Sequence, residues 1–234
     1  DPASGQPFSW QEAYSQMTNE WALSRRWLFA HEFAPNVKIG PGFSLPDKTL
    51  TSNHMKPYDA YHQPDEPVSW YPFSYKPERK LSVMDVIKFQ RNTGEGTIYD
   101  MTADLDWVVP DGKGGMKKSP LCTPFLSPYM RELLDITYHR NTAGQHHYGF
   151  VSQSRSWLPD PIGGVYWFFL ENFAHAIHVP IYCGNLDIHE SYRIIDEKKY
   201  DENSATWVYD FVDNLLQLRY QEAIIDLKNV RDPL

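Results

Sequence analysis

Residues 148–170, YGFVSQSRSWLPDPIGGVYWFFL, constrain the fold more tightly than any other stretch of the chain. A polar segment, SQSR, leads into a turn that sets an Asp between two prolines, and a Gly pair then feeds the bulky run VYWFFL. Proline donates no amide hydrogen and biases its predecessor toward extended geometry, so no regular helix passes through this turn. Two strands are therefore expected, at 148–154 and 164–170. A third at 175–183 would carry Pro180 and so belong at an edge or a bulge. The run VYWFFL lacks polar alternation, which predicts a strand covered on both faces.

Helical signals lie on either side of these strands. SWQE at 9–12 has the spacing of a capping box, in which hydroxyl and carboxylate each satisfy an exposed amide. It opens a helical apolar pattern that runs to about Phe33, with a break near Asn19. SVMD at 82–85 predicts a second, short helix with Val83, Val86 and Ile87 inward, ended by Gly94. Ser204 is expected to cap one long C-terminal helix whose apolar stripe includes Trp207, Val208, Phe211, Leu215, Leu216, Leu218, Tyr220 and Ile224. Residues 106–128 read as turns, and 130–140 as a strand or short helix burying Leu133, Leu134 and Ile136. The sum is an α+β chain.

With 234 residues, 41% of them hydrophobic, the chain has material for one sizeable core and reads as one domain or a large part of one. Eighteen prolines and 15% aromatics favour long ordered loops clamped by Trp and Tyr, above all the Pro- and aromatic-rich stretch 35–77, expected to lie against the core. A net charge of −8 without any basic block argues against a nucleic-acid partner, because counterion release requires clustered Lys and Arg. No apolar stretch approaches the ~18 residues that span a bilayer, so no membrane partner is expected. Two cysteines, Cys122 and Cys183, pair at most once and leave the compartment open. The first residues, DPASGQPFSW, carry neither an initiator Met nor a signal peptide and read as the middle of a longer polypeptide.

Several residue groups bear chemistry, each with a plainer explanation beside it. GKGGMKKS at 112–119 superficially resembles a phosphate loop but lacks the Walker spacing, and Ser119–Pro120 blocks the helix that would hold an anion; a solvated surface loop fits better. His175 and His178, three apart on an expected strand, would point to opposite faces, as would His146 and His147, so with His139 and His189 they read as satisfied or surface histidines rather than metal ligands. Cys183 reads as a small strand residue. Glu95, Asp100, Asp104 and Asp106 form a carboxylate group that turn and cap roles explain as well as acid–base work does. Arg155 is the sharper case: at a strand end, a guanidinium can bind a substrate carboxylate bidentately or steady an oxyanion. Composition and spacing alone favour instead an ion pair in which Arg155 neutralises Asp160 across the turn.

Four segments carry a resemblance: DPASGQPFSW, KPERKLSVMDVIKFQRNTGEGTIYDMT at 76–102, FVSQSRSWLPDPIGGVYWFFLENFAHAIHVPIYCGNLDIHESY at 150–192 and WVYDFVDNLLQLRY at 207–220. In order and content they resemble the dipeptidase A family of cysteine peptidases. That family is similar to N-terminal-nucleophile hydrolases, so the resemblance implies an αββα four-layer sandwich. It also implies a processed N-terminal Cys that attacks the peptide carbonyl with its own α-amino group as base. Residue 1 here is Asp, so the resemblance places residues 1–234 as the C-terminal portion of a single peptidase domain. The nucleophile would lie upstream, and the N-terminal segment or chain of the same enzyme would be the partner. It implies hydrolysis of dipeptides or short peptides, with Arg155 as oxyanion or substrate contact and Trp157 and Asp160 lining the pocket. No metal or cofactor is required, and an oligomer is left open. Residues 103–120 depart from the family pattern. The rival from another class is a non-catalytic, aromatic-rich module that binds carbohydrate on exposed Trp and Tyr; burial of the tryptophans discriminates between the two.

Overall fold

The computed structural model describes residues 20–36, 74, 76–97, 99–134, 136, 141–144, 146–194, 196 and 198–232. The SWQE capping box, residues 37–73 of the Pro- and aromatic-rich stretch, and His139 lie outside the described residues.

Helix α1 (Glu20–Phe33) buries Trp27, Leu28, Ala30 and Phe33. Its Phe29 and Phe33 meet Phe89 of α2 (Val83–Gln90) at ring-centroid distances of 5.3 and 5.2 Å. The start of α2 follows the sequence expectation. Asp85 N–H donates to Ser82 Oγ at 3.2 Å, and Ser82 N–H donates to Asp85 Oδ2 at 2.7 Å, so both exposed amides are satisfied. Arg79, ion-paired to Asp85 at 3.0 Å, and the Ser82 hydrogen bonds hold that carboxyl far below its ordinary range. Beyond α2, Gly94 adopts φ 84, a left-handed conformation that favours glycine.

Residues 112–119, expected as a solvated surface loop, are exposed through Lys118 and supply the turn and second strand of a β-hairpin between β1 (Val108–Pro110) and β2 (Met116–Lys118). The Asp111 carboxylate accepts from the amides of Lys113 and Gly115 and so organises the glycines between the strands. Helix α3 (Pro128–Leu134) settles the strand-or-helix question for that segment. Ile136 is buried as expected, but Leu133 is 82% exposed, because its side of this short helix faces away from the cluster of Met101, Trp107, Cys122, Leu126 and Ile136.

The principal sheet has three antiparallel strands in the order β3 (Tyr148–Ser154), β4 (Gly164–Leu170), β5 (Val179–Tyr182). The first two match the expected spans. The third is shorter: residues 173–175 turn, and only the last part of 175–183 pairs, with Pro180 opposite Trp167 on the edge strand, where its missing amide costs nothing. Burial on β4 is also not two-sided. Val165 and Phe169 are buried, whereas Tyr166, Trp167 and Phe168 are only partly covered. The face shared by Tyr148, Phe150, Tyr166 and Phe168 is an aromatic stack, with Phe150 and Tyr166 centroids 4.7 Å apart, and its rings partly shield one another. Mutual stacking stands in for a covering layer there.

The C-terminal helix divides in two. Arg219, at φ −151 and ψ 62, leaves helical geometry between α5 (Ala205–Leu218) and α6 (Tyr220–Arg231). Ser204 precedes α5, but its hydroxyl donates to Ile194 O at 2.8 Å instead of capping. Leu216, Tyr220 and Ile224 join the core, while Val208, Phe211, Leu215 and Leu218 of the expected stripe stay exposed. The architecture is mixed helix and sheet, with small antiparallel sheets. No helix among the described residues is long and apolar enough to cross a membrane.

Candidate functional site

The turn between β3 and β4 is built by backbone hydrogen bonds and close approaches. Leu158 N–H donates to Arg155 O at 3.0 Å, Gly163 N–H to Pro159 O at 2.7 Å, and Arg155 N–H to Gly163 O at 2.8 Å. Together they enclose the one-turn helix α4 (Asp160–Gly163). A Cβ on Gly184 would stand 2.9 Å from Pro161 O, and one on Gly164 would stand 2.5 Å from Cys183 Sγ. Glycine is required at 184, where the opposing atoms include the Pro161 backbone, whereas at 164 the exposed Cys183 side chain can turn away; both approaches arise because β5 and the chain after it pass directly against this turn.

Arg155 is half-buried. Its Nη2 donates to Ile162 O at 2.5 Å, its Nε points at Gly163 O at 3.5 Å, and its guanidinium carbon lies 5.9 Å from the centre of the Tyr182 ring. The expected alternative, an ion pair with Asp160, does not form; the guanidinium is committed to the backbone carbonyls of the turn. Nη1 makes no hydrogen bond among the described residues. Trp157 is 76% exposed and Asp160 is exposed, so the turn displays an apolar and an anionic side chain beside a guanidinium fixed by two carbonyls and a ring. Such a group is oriented before any ligand arrives.

A second polar concentration surrounds the turn at 172–178, and sequence reasoning missed it. His175 is buried, and its Nδ1 hydrogen-bonds Asp213 Oδ1 of α5. Arg231 Nη1 donates to Ala174 O, Arg91 Nη2 to Ala176 O at 3.0 Å, and Tyr209 Oη to Ile177 O at 3.1 Å. Asp232 faces both guanidinia, at 2.7 Å from Arg231 and 3.7 Å from Arg91. His178, expected on a strand, lies just before β5; burial first, then Arg91 and Arg231, push its pKa down to about 3, so the ring is neutral at physiological pH. Its Nε2 lies 3.3 Å from Gln90 Oε1. His175 and Asp213 are 38 positions apart, a separation at which spacing carries no signal.

The remaining candidates take their plainer roles. The Asp100 carboxylate accepts from Gly96 N–H, Thr102 N–H and Thr102 Oγ, and Asp104 caps the short 3-10 turn Leu105–Trp107. Among the described residues no group of three or more His, Cys, Asp or Glu is placed to hold a metal. Cys122 is buried, and burial pushes its thiol up to about 12. Cys183 is exposed, and its thiol makes no hydrogen bond among the described residues. Of the tryptophans whose burial is described, Trp27 and Trp107 are core, Trp167 and Trp207 are partly buried, and only Trp157 is exposed. The indole N–H groups of Trp107 and Trp207 donate to the carbonyls of Met101 and Asp196, and that of Trp167 donates to Gln153 Oε1. A tryptophan platform of the kind a carbohydrate module would need is not formed by these residues.

The sequence comparisons agree with the resemblance drawn from the four segments. The family model of Peptidase family C69 matches residues 1–232. A protein of Latilactobacillus sakei described as a probable dipeptidase is 23% identical over 225 residues, which is 94% of this chain and 41% of that protein. The chain thus spans about two fifths of the length of the curated relative it matches. No solved structure matches it. Because the family match extends over nearly every residue, the chain belongs to Peptidase family C69.

Proposed function

We propose that residues 1–234 form the later portion of a single peptidase domain, of αββα N-terminal-nucleophile type. The whole enzyme would hydrolyse dipeptides or short peptides with a cysteine carried upstream of this chain. Family membership and the relative described as a probable dipeptidase support the reaction class. The partner is then the remainder of the same enzyme. The exposed aromatic face of β3 and β4 is the kind of surface a second sheet covers, which supports the layered arrangement.

The thiolate sulfur adds to the scissile carbonyl carbon, and the π electrons move to oxygen to give a tetrahedral oxyanion. The carbon–nitrogen bond then breaks, and the proton taken up by the α-amino base passes to the departing amine. Water adds to the thioester and the thiol leaves, restoring the nucleophile. Neither Cys122, buried with its thiol pushed up to about 12, nor Cys183, with no hydrogen-bonded base, is suited to this role.

The observation that carries this chain's own share is the fixed orientation of Arg155. Its Nη1 receives the substrate carboxylate or the oxyanion, while Trp157 and Asp160 line the pocket at the same turn. In the full-length enzyme, Arg155→Ala is expected to lower kcat/KM on dipeptides on the order of a hundredfold, and Arg155→Lys, which keeps the charge but not the planar fork, to recover only part of it. A loss in KM alone assigns Arg155 to the substrate carboxylate; a loss in kcat assigns it to the oxyanion. Wild-type rates in Arg155→Ala would overturn the residue's role, and a full-length enzyme inert toward every dipeptide would overturn the reaction.

A further inference from the structure

Chain that follows β5 folds back along that strand and leaves a small, open pocket of about 100 Å³ between Val179, Ile181, Asp187, Ile188, His189 and Tyr192. That is well below the ~300–1,000 Å³ typical of whole small-molecule sites and is room for a single side chain. Val179 and Ile181 pair with Phe168 and Tyr166, so they stand on the aromatic face of the sheet. Tyr192 extends that face, its ring 6.1 Å from Phe168. The pocket's interior is therefore aliphatic on the strand side and aromatic at one end.

The polar groups at its rim are set by local bonds. Asp187 Oδ1 accepts from Ile188 N–H at 2.8 Å and faces Arg193 Nη1 at 3.3 Å, whereas Oδ2 makes no bond among the described residues. The Asp187–Arg193 pair is exposed on both sides and weakly held. His189 Nδ1 lies 2.8 Å from Ser191 Oγ and accepts from Ser191 N–H at 3.3 Å, and with Nδ1 accepting from both, the ring's donor is Nε2–H. The rim thus offers a free carboxylate oxygen and an imidazole N–H donor above an apolar floor.

We infer that this pocket selects an aliphatic side chain of the peptide substrate, with the residue's amino group meeting Asp187 Oδ2 and its carbonyl oxygen accepting from His189 Nε2–H. The identity of the ligand rests on the peptidase reading above; the pocket's preference for an aliphatic amine does not. A leucyl residue satisfies all three elements, and a glycyl residue leaves the floor unfilled.

Two measurements on the full-length protein separate the possibilities. In methyl NMR, leucine amide is expected to shift the Val179, Ile181 and Ile188 signals with at least tenfold greater affinity than glycinamide, and Ile188→Trp, which fills the pocket, is expected to abolish that difference. In hydrolysis, Ile188→Trp is expected to lower the kcat/KM ratio of leucyl to glycyl dipeptides about tenfold, in line with the loss of one buried aliphatic side chain. Asp187→Asn is expected to raise KM about two- to threefold, as an exposed charge pair allows. Dipeptide hydrolysis with an unchanged ratio, together with no leucine-amide shifts, overturns the pocket and leaves the peptidase reading standing. Leucine-amide shifts in a protein inert toward all dipeptides uphold the pocket and sink the peptidase reading.

Discussion

Among the described residues, two of the turns that arginine holds differ in what the arginine does. At the 155–164 turn one guanidinium donates to the carbonyls of its own turn, is half-buried, and keeps one nitrogen unbonded beside the exposed Trp157. At 172–178 two guanidinia arrive from other elements, Arg91 from the end of α2 and Arg231 from α6. There they capture the carbonyls of Ala176 and Ala174, while α5 contributes Tyr209 and Asp213. The first arrangement orders a short local segment and leaves a cation at the surface. The second ties three helices to one largely buried turn, where polar groups lose water and Arg91 Nε, Asn172 Nδ2, His175 Nε2 and His178 Nδ1 are buried without a hydrogen bond among the described residues. Local stapling keeps its guanidinium near solvent, and long-range stapling commits guanidinia to buried carbonyls.

The largest expected effect comes from breaking the buried turn. Arg231→Ala strands the buried Ala174 carbonyl, while the half-exposed Asp232 carboxylate keeps water, and should cost about 2–3 kcal/mol in denaturant unfolding, as loss of a charged donor from a buried acceptor does. Arg155→Ala, which releases carbonyls near solvent, should cost about 1 kcal/mol. Equal losses in the two variants would erase the distinction between them. The next effect is a dependence on pH. His178 is held neutral in the folded chain, with its pKa lowered from 6.5 to about 3 by burial, Arg91 and Arg231. Between these values the unfolded chain binds a proton that the folded chain refuses, so stability falls as pH drops through this window. His178→Gln should flatten that slope in urea midpoints between pH 7 and pH 4; an unchanged slope would show that the buried turn does not exclude the charged ring.

How much of this was legible in the sequence depended on the range of the interactions. The spans of β3 and β4 and the capping box of α2 were readable because each is fixed by neighbours: a proline-bounded turn, a residue alternation, a hydroxyl three positions from a carboxylate. The turn at 172–178 was not readable, since Arg91, Asp213 and Arg231 come from remote segments and nothing near His175 announces them. The same reason explains the third strand, where a local β pattern over 175–178 gives way to carbonyls captured from outside. The open face of β4 has a different cause. A run of large apolar residues states that a strand is apolar on both sides, but not whether this segment alone supplies both covering layers. The Arg155–Asp160 pair was a local guess that failed because two nearer carbonyls compete for the same guanidinium. The position of the Arg155 turn was legible, and the bonding inside it was not.

The smallest expected effect lies at the residue that joins the two turns. Glu171 follows β4 and begins the approach to the buried turn, and its φ of 58 is the one left-handed conformation at a non-glycine residue among those described. A side chain there costs about 1–2 kcal/mol of backbone strain. Its carboxyl is also pushed up, first by burial and then by Asp210, with Asp213 adding in the same direction, so the charged form is resisted as well. Glu171→Gly removes both penalties and keeps the amide that donates to His147 O at 3.0 Å, while adding about 0.5–1 kcal/mol of unfolded-chain entropy. A net gain of about 0.5 kcal/mol at pH 7 is expected in urea unfolding. The gain should shrink toward pH 4, because a raised carboxyl pKa favours the folded protonated form as pH falls. A loss above ~1 kcal/mol would mean that the Glu171 side chain itself holds the junction, and the two turns would then be coupled through it rather than built independently.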